Sequence, residues 1–270
     1  MSINAVVPIY TAHSGLLQAQ KSFEKAAQSV ASGLCSFVNP ADRFVATGLD
    51  TTIRSAKQAI ANAEMGYNFA ATADSALGSV TQNLQRIREL SVQASNGIYS
   101  DEQRSAMQAE INQNVEQMRQ TLNNATFNGK PTVNAVTPDS PNVASVVDFV
   151  VTSDASNVVT YDPNVVLGDM NFDVSTPEAA AASLAQVDTM LGDIGSKRGE
   201  IGAVQTSLEG AIAQQSSTIM SYASSLSGIQ DTDYVSAIAD MKKAQFTMEA
   251  MGKVMKAVMN SQRYVLDLLK

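Results

Sequence analysis

Apolar and small residues recur at alternating steps of three and four along most of the chain, which is typical of helices that pack along a heptad seam. The first seam consists of Leu49, Ile53, Ala56, Ile60, Ala63, Tyr67, Ala70, Leu77, Val80, Leu84, Ile87 and Ala94. Asn96 and Gly97 follow it, and such a pair typically ends a helix. The pattern therefore predicts one long helix that ends just before them.

A shorter helix is predicted next. Ser100 can cap its first turn, and Gln103 can complete a capping box by bonding back to the cap backbone. Asp101 and Glu102 suit the positive end of the helix dipole. The apolar stripe of this helix consists of Met107, Ile111, Val115, Met118 and Leu122.

A second long helix is predicted from Thr176, which can act as an N-cap before Pro177 and an acid. Its seam consists of Leu184, Val187, Leu191, Ile194, Arg198, Ile201, Gln205, Leu208, Ile212, Gln215, Ile219, Tyr222, Leu226 and Ile229. This helix is too long for a compact monomer, so we expect it to pack against the 49–94 helix.

The last seam consists of Met241, Ala244, Met248, Met251, Met255, Val258, Gln262, Val265 and Leu269. Asp231 and Asp233 precede it; they favour N-capping over cation binding. Methionine fills irregular gaps and adapts to more than one packing. The stripe is therefore read either as ordinary core or as a surface that repacks when it meets a partner.

The middle of the chain has a different pattern. Five of the seven prolines lie between Pro131 and Pro177, and β-branched runs occupy residues 143–149 and 158–161. These features predict a small strand or hairpin insertion that is too short to be a catalytic domain. The expected fold is mainly α, with long antiparallel coiled-coil rods, a small β insertion, and both termini at one end.

The composition indicates that part of the apolar surface is buried between subunits rather than within one chain. The chain of 270 residues is 44% hydrophobic but only 6% aromatic, it has no Trp, and only 16% of its residues are charged. Small side chains bury little area each but allow helices to approach closely. We expect the terminal seams to remain without burial in a single chain and to complete it between subunits.

The candidate chemistry is sparse. The single His13 and the single Cys35 exclude paired-histidine metal centres, a disulfide framework and multi-cysteine metal sites, so no metal and no cofactor is predicted. His13 is read as inert or as a pH sensor, and Cys35 as a small buried hydrophobe or a redox site. A net charge of −8 disfavours nucleic acid and anionic membranes as partners. Neither a membrane span nor a cleaved signal peptide is recognisable.

Short motifs in a fixed order make the chain resemble the bacterial flagellins. They are LQRIRELSVQ at 84–93, SNG at 95–97, MQAEI at 107–111, NATFNG at 124–129, GAVQ at 202–205, DTDY at 231–234, MKKAQ at 241–245 and VLDLLK at 265–270. Each motif alone is weak, but their joint order and spacing are specific.

This resemblance implies a nested hairpin of five regions. They are an inner-core helix and spoke at 1–42, outer-core helices at 43–129, the β insertion at 130–175, an outer-core helix at 176–229 and an inner-core helix at 230–270. It also implies a structural subunit that is exported by the flagellar type III path and polymerises into the extracellular filament that drives motility. An enzyme is not expected, because the enzymatic flagellins carry a metallopeptidase motif in a large insertion.

The resemblance also implies partners. They are further copies of the chain, the flagellar cap and hook-junction proteins, and an export chaperone on the C-terminal segment. Two alternatives remain open: a minor or secreted flagellin-like protein that modulates a host receptor, and a hook–filament junction protein.

Two groups of site residues are implied as well. Arg86, Leu90 and Glu110 would form a patch that serves as a subunit contact and binds the Toll-like flagellin receptor of animal hosts. The residues expected to pack in the inner core of the filament are Met241, Ala244, Met248, Met251, Met255, Val258, Val265 and Leu269.

Overall fold

The computed structural model describes residues 3–35, 39–138, 142–152 and 156–267. The helices there are α1 (Ile3–Ser32), α2 (Pro40–Ala94), α3 (Asp101–Asn124), α4 (Pro177–Gln230) and α5 (Tyr234–Asp267). The strands are β1 (Thr126–Phe127), β2 (Lys130–Pro131), β3 (Asn134–Val136), β4 (Val147–Val150), β5 (Val158–Tyr161) and β6 (Asn164–Val166). The predicted fold class, helical rods with a small β insertion, is confirmed.

The chain divides into two compact units. The terminal unit comprises Met1–Thr51 and Met220–Lys270, and the central unit comprises Thr52–Ile219. None of the helices described in either unit is apolar over enough of its length to cross a bilayer.

The core of the central unit is built from the predicted seams of α2 and α3. Leu77, Val80, Leu84 and Ile87 are completely buried, and so are Ile111 and Met118. The whole predicted stripe of α3 is buried. Heptad spacing therefore identified the buried faces of both helices.

The predicted seam of α4 is only half right. Five of its members are buried: Val187, Ile194, Ile201, Leu208 and Gln215. Three further buried positions, Ser183, Met190 and Lys197, lie one residue earlier than predicted, and Ala180 is buried before the first seam position. Arg198 stays at the rim, because its guanidinium pairs with Asp74 of α2 at 2.7 Å. A small Ser and a flexible Met at the preceding positions let the helix turn that face inward.

The predicted helix starts are confirmed by their hydrogen bonds. Ser100 and Gln103 form the reciprocal capping box at the start of α3. The Thr176 hydroxyl accepts from the Ala179 backbone N–H before α4. Asp233 accepts from two backbone N–H groups at the start of α5, so its carboxylate acts as an N-cap.

The β insertion consists of three short strand pairs. β4 and β5 are antiparallel, as the runs at 143–149 and 158–161 predict, and β3 pairs with β6 in parallel. β1 and β2 are joined through Asn128 and Gly129, which both have positive φ. Left-handed residues of this kind are what a tight turn between antiparallel strands requires.

Aromatic rings fix this insertion to α2. The ring of Phe69 meets Phe127, Phe149 and Tyr161 edge to face, with centroids 5.4–5.9 Å apart. Phe149 also covers Gly66, where an added Cβ would lie 2.9 Å from the ring. Only a residue without a side chain permits that approach, so Gly66 sets the distance between the strand and the helix.

Candidate functional site

The terminal unit is held together by the pairing of α1 and α5. The α1 side of this interface carries small residues in a heptad pattern: Ala12, Ala19 and Ala26 alternate with Gly15, Ser22 and Ser29. The three alanines and Ser29 are buried. Leu16, Phe23 and Val30 are half-buried next to them. The α1 seam was missed from the sequence because its fully buried positions are small or polar and do not register as an apolar stripe.

The predicted seam of α5 supplies the large side chains that face this groove. Ala244 is buried, and Met241, Met248, Met251, Met255 and Val258 are half-buried. Met251 lies directly on Gly15, its Cε 3.1 Å from where a Cβ would stand. Leu269 and the side chain of Val265 lie outside the described residues.

This pairing corrects the expectation that the terminal seams lack burial in a single chain. The α5 seam has a partner within its own chain, since large methionines fill the space that small α1 residues leave. Within the described residues, the apolar surfaces that lack a partner lie outside these seams. Tyr10 and Leu17 of α1 are exposed, as are Val235, Ile238 and Phe246 of α5.

These exposed apolar residues were not predicted. Phe246 is 75% exposed, and it lies off the α5 seam. Large apolar side chains that project into water from one helix pair are typical of a surface that a further molecule covers. The sequence signal was present for Tyr10, Leu17 and Phe246, since each lies two residues from a buried heptad position of its helix and therefore on the opposite face.

The predicted patch at Arg86, Leu90 and Glu110 is only partly a surface. The Arg86 guanidinium bridges α2 to α3 by donating to Glu110 at 2.7 Å, and it also donates to Glu89 at 3.0 Å. These bonds, that to Glu110 first, raise the pKa of Arg86. Leu90 is 3% exposed and belongs to the core of the central unit. The charged pair is thus on the surface, whereas the Leu90 side chain is not.

Two further ion pairs tie α2 to α4. Arg88 donates to Asp188, and Arg198 donates to Asp74, both at 2.7 Å. The hydrogen bonds to these carboxylates raise the pKa of each arginine. The four residues are partly exposed. Such exposed pairs contribute little stability each, and here they link α2 to α4 at two places.

A short backbone clasp follows α1 and precedes α5 in the terminal unit. Leu34 and Asp231 form an isolated antiparallel bridge. The Cys35 N–H donates to the Gln230 carbonyl, and the Thr232 N–H donates to the Gly33 carbonyl. Gly33 has a φ of 71°, which a residue with a side chain rarely adopts. The half-buried Cys35 therefore stands in a backbone junction, and the Asp231 carboxylate accepts from Ser227.

No metal centre is apparent in the part of the chain that the structure describes. Within it, no group of three or more His, Cys, Asp or Glu side chains could hold an ion. The features that remain are surfaces, namely the exposed faces of α1 and α5 and the charged pair on α2 and α3.

Two family models match the chain. The bacterial flagellin N-terminal helical region matches residues 3–136, and the bacterial flagellin C-terminal helical region matches residues 184–269. Together they cover most of the chain, leaving out mainly the β insertion.

Curated relatives carry names of filament proteins. The flagellar filament 30.7 kDa core protein of Treponema maltophilum is 27% identical over 233 residues, which cover 80% of each chain. The flagellar filament 33 kDa core protein of Treponema phagedenis is 28% identical over 243 residues, which cover 84% of each. A flagellin of Salmonella dublin is 36% identical over 119 residues, 43% of this chain and 24% of that one.

A solved structure shares the fold. It is a protein assigned to the flagellar hook-associated class from Vibrio parahaemolyticus, with a TM-score of 0.58 and 16% identity. The match covers 70% of this chain and 98% of that one. At this identity the likeness concerns the fold alone.

Proposed function

The chain belongs to the bacterial flagellin family and is a structural subunit of a flagellar filament, and we propose that its copies polymerise through the exposed outer faces of α1 and α5. The observation that carries this proposal is Phe246, which is 75% exposed on a helix whose seam is already occupied. A helical polymer needs contacts between different surfaces of identical copies. The outer faces of the terminal pair offer apolar surface for such contacts.

We further propose how the regions divide the work. Residues 1–42 and 230–270 form the inner tube of the filament, and 43–129 and 176–229 form the outer tube. The residues of the α5 seam hold α1 within each copy, while the residues on the opposite face contact the neighbouring copies. The filament of a flagellum is extracellular, and this chain would reach it through the flagellar type III export path.

The test is elongation of short filament seeds by the purified full chain. Phe246→Asp should slow elongation by about tenfold or more, since it places a charge in an apolar contact. Its unfolding midpoint should stay that of the wild type, because Phe246 is in water in the single chain. Val166→Asp is the matched control, with a residue 68% exposed on β6, and it should elongate normally. Normal elongation by Phe246→Asp would overturn the proposal, as would polymerisation after removal of residues 231–270.

Other partners follow from the same family membership. We propose that the cap and hook-junction proteins meet the chain at the ends of the filament and that an export chaperone covers the exposed face of α5 beforehand. No enzymatic role is proposed, since packing alone accounts for a filament subunit. Comparing export of the wild type and of Phe246→Asp would test the chaperone contact, because a variant that is exported normally would contradict it.

Recognition by the host receptor is proposed for the charged pair of Arg86 and Glu110. Arg86→Ala should weaken receptor signalling by free monomer without changing its unfolding midpoint, because the pair is exposed to solvent. Leu90→Ala is unsuitable as a probe, since it removes a core side chain. Unchanged signalling by Arg86→Ala would remove this proposal and leave filament assembly untouched.

A further inference from the structure

Methionine is concentrated on α5. Five of the twelve methionines lie there: Met241, Met248, Met251, Met255 and Met259. Met251 packs directly against Gly15 of α1. Its Sδ lies 3.5 Å and its Cε 3.1 Å from the place where a Cβ on Gly15 would stand. The thioether is therefore seated on bare helix backbone, at the centre of the contact that holds the terminal unit.

A cavity of about 400 Å³ opens beside this thioether, between α1 and α5. It exists because the α1 wall is built from Gly15, Ala19 and Ser22, which do not fill the space. Its polar walls are Gln18, Ser22, Asp240, Lys243 and Thr247. A roomy space with several polar walls admits water. Small polar oxidants can therefore reach the sulfur while the helix pair is folded.

We propose that Met251 is a reversible oxidation site for peroxides and that its oxidation loosens the α1–α5 pair. A sulfur lone pair attacks one oxygen of hydrogen peroxide, the O–O bond breaks, and proton transfer releases the other oxygen as water. The sulfur loses two electrons and becomes a sulfoxide, and the peroxide is reduced. Methionine sulfoxide reductases restore the thioether.

The sulfoxide weakens the pair for a geometric reason. A sulfoxide oxygen is polar and needs hydrogen bonds, whereas the backbone of α1 at Gly15 is already bonded within its helix. The oxidised side chain must either leave an unpaired polar oxygen against α1 or turn into the cavity and give up its contact with Gly15. The first outcome buries a polar atom without a hydrogen bond, and the second removes packing from the centre of the interface, so both weaken the pair.

Other methionines serve as internal references. Met220 is 67% exposed, so its sulfoxide would stand in water and disturb no packing. Met118 and Met190 are fully buried in the central unit, where an oxidant has no access. The proposal thus predicts three classes of methionine: oxidised without effect, protected, and oxidised with loss of packing.

The experiment treats the purified monomer with hydrogen peroxide and follows each sulfoxide by peptide mass spectrometry. Met251 should oxidise about tenfold or more faster than Met118 and Met190, since those two lack solvent access. Amide exchange in α5 should then become about tenfold faster, as local opening requires less free energy. Treatment with both stereospecific sulfoxide reductases should restore the slow exchange.

Variants assign the effect to one residue. Met251→Leu conserves volume and should keep slow exchange under peroxide, whereas the control Met220→Leu should not. A variant with Leu at 241, 248, 255 and 259 should remain as sensitive as the wild type. Oxidation of Met251 no faster than that of Met118, or equal sensitivity of Met251→Leu, would overturn the proposal.

The consequence for assembly rests on the proposed function, and the measurements keep the two separate. Oxidised monomer should elongate seeds more slowly, and Met251→Leu should be spared that loss. If reduced wild-type protein fails to elongate seeds at all, the proposed function fails, while amide exchange in the monomer still decides the oxidation proposal. If reduced protein elongates and oxidation changes neither exchange nor elongation, only the oxidation proposal fails.

Discussion

At the scale of single residues, the β insertion is held by the close approach of the Phe149 ring to the backbone of α2 at Gly66. Gly66 has the Phe149 ring against it, at 2.9–3.2 Å from a would-be Cβ. Phe149 is itself fixed against Phe69, so it cannot move aside as a flexible chain end could. The glycine is therefore required by packing, even though it lies within the long helix α2, where glycine is ordinarily unfavourable.

We predict that Gly66→Ala loses stability relative to a control glycine. Gly210→Ala on α4 meets nothing within 4 Å and should gain up to about 1 kcal/mol from helix propensity. Gly66→Ala should fall below that control by about 1–3 kcal/mol, the usual range for overpacking. Urea unfolding of both variants measures the difference. Equal stability of the two would mean that the Phe149 ring moves aside at no cost. In a Phe149→Ala background, which removes the contact, Gly66→Ala should become as favourable as Gly210→Ala.

Leu90 shows where single-residue inference from the sequence fails. The resemblance to flagellins implies a patch that contains Leu90, yet its side chain lies in the core between the helices of the central unit. Leu90→Ala should lower the free energy of unfolding by about 2–5 kcal/mol, as core truncations do. Denaturant unfolding checks this value. A change in the free energy of unfolding close to zero would contradict the burial of Leu90.

At the scale of elements, local rules located the starts of α3, α4 and α5 but not that of α2, which begins at Pro40, well before the first predicted seam position at Leu49. The capping box at Ser100 and the fully buried stripe of α3 were predictable, because both depend on residues three or four apart. The packing of Phe69 against Phe149 was not, since the two are eighty positions apart and no local pattern relates them. The α1 groove was missed for another reason. Gly15 and Ala19 form it by lacking large side chains, and a sequence pattern of apolar residues does not register such positions.

Beside the apolar cluster that joins Val151 of the β insertion to Leu208 of α4, one polar tie links the two. Asp162 stands between Lys197, at 3.7 Å, and the Asn164 backbone N–H, at 2.9 Å. Partial burial of Asp162 raises its pKa, but the bonds from Asn164 and the charge of Lys197 outweigh this and leave the pKa lowered. A lowered pKa means that the ionised carboxylate stabilises the fold. That stability is present above the unfolded pKa of about 3.9 and is lost as the pH falls through the folded pKa.

We predict that Asp162→Asn removes part of the acid sensitivity of the central unit. At neutral pH the wild type should unfold at a higher urea concentration than Asp162→Asn. The gap should shrink as the pH falls below about 3.9, where the carboxylate takes up a proton. Asp193→Asn, at an exposed position on α4, is the control and should show no such gap. A gap that stays constant with pH would contradict the role of this charge.

At the scale of the whole molecule, charge is divided unevenly between the two units. Thr52–Ile219 contains nine Lys and Arg against eighteen Asp and Glu, whereas Met1–Thr51 and Met220–Lys270 together contain nine against eight. The terminal unit, which carries the exposed apolar faces of α1 and α5, is therefore close to neutral, whereas the central unit is acidic. In a polymer, however, central units of many copies come near one another and repel.

This repulsion makes elongation depend on salt in a defined direction. Raising NaCl from about 0.01 M to about 0.15 M shortens the Debye length from about 30 Å to about 8 Å, which screens charges on neighbouring copies. Seeded elongation should therefore become several-fold faster over that range. Plain NaCl is used because sulfate would strengthen apolar burial as well. Asp193→Asn combined with Glu209→Gln removes two exposed acids of α4 and should weaken the dependence. Elongation that slows steadily with NaCl would show that attractive ion pairs between copies outweigh the repulsion of their acidic units.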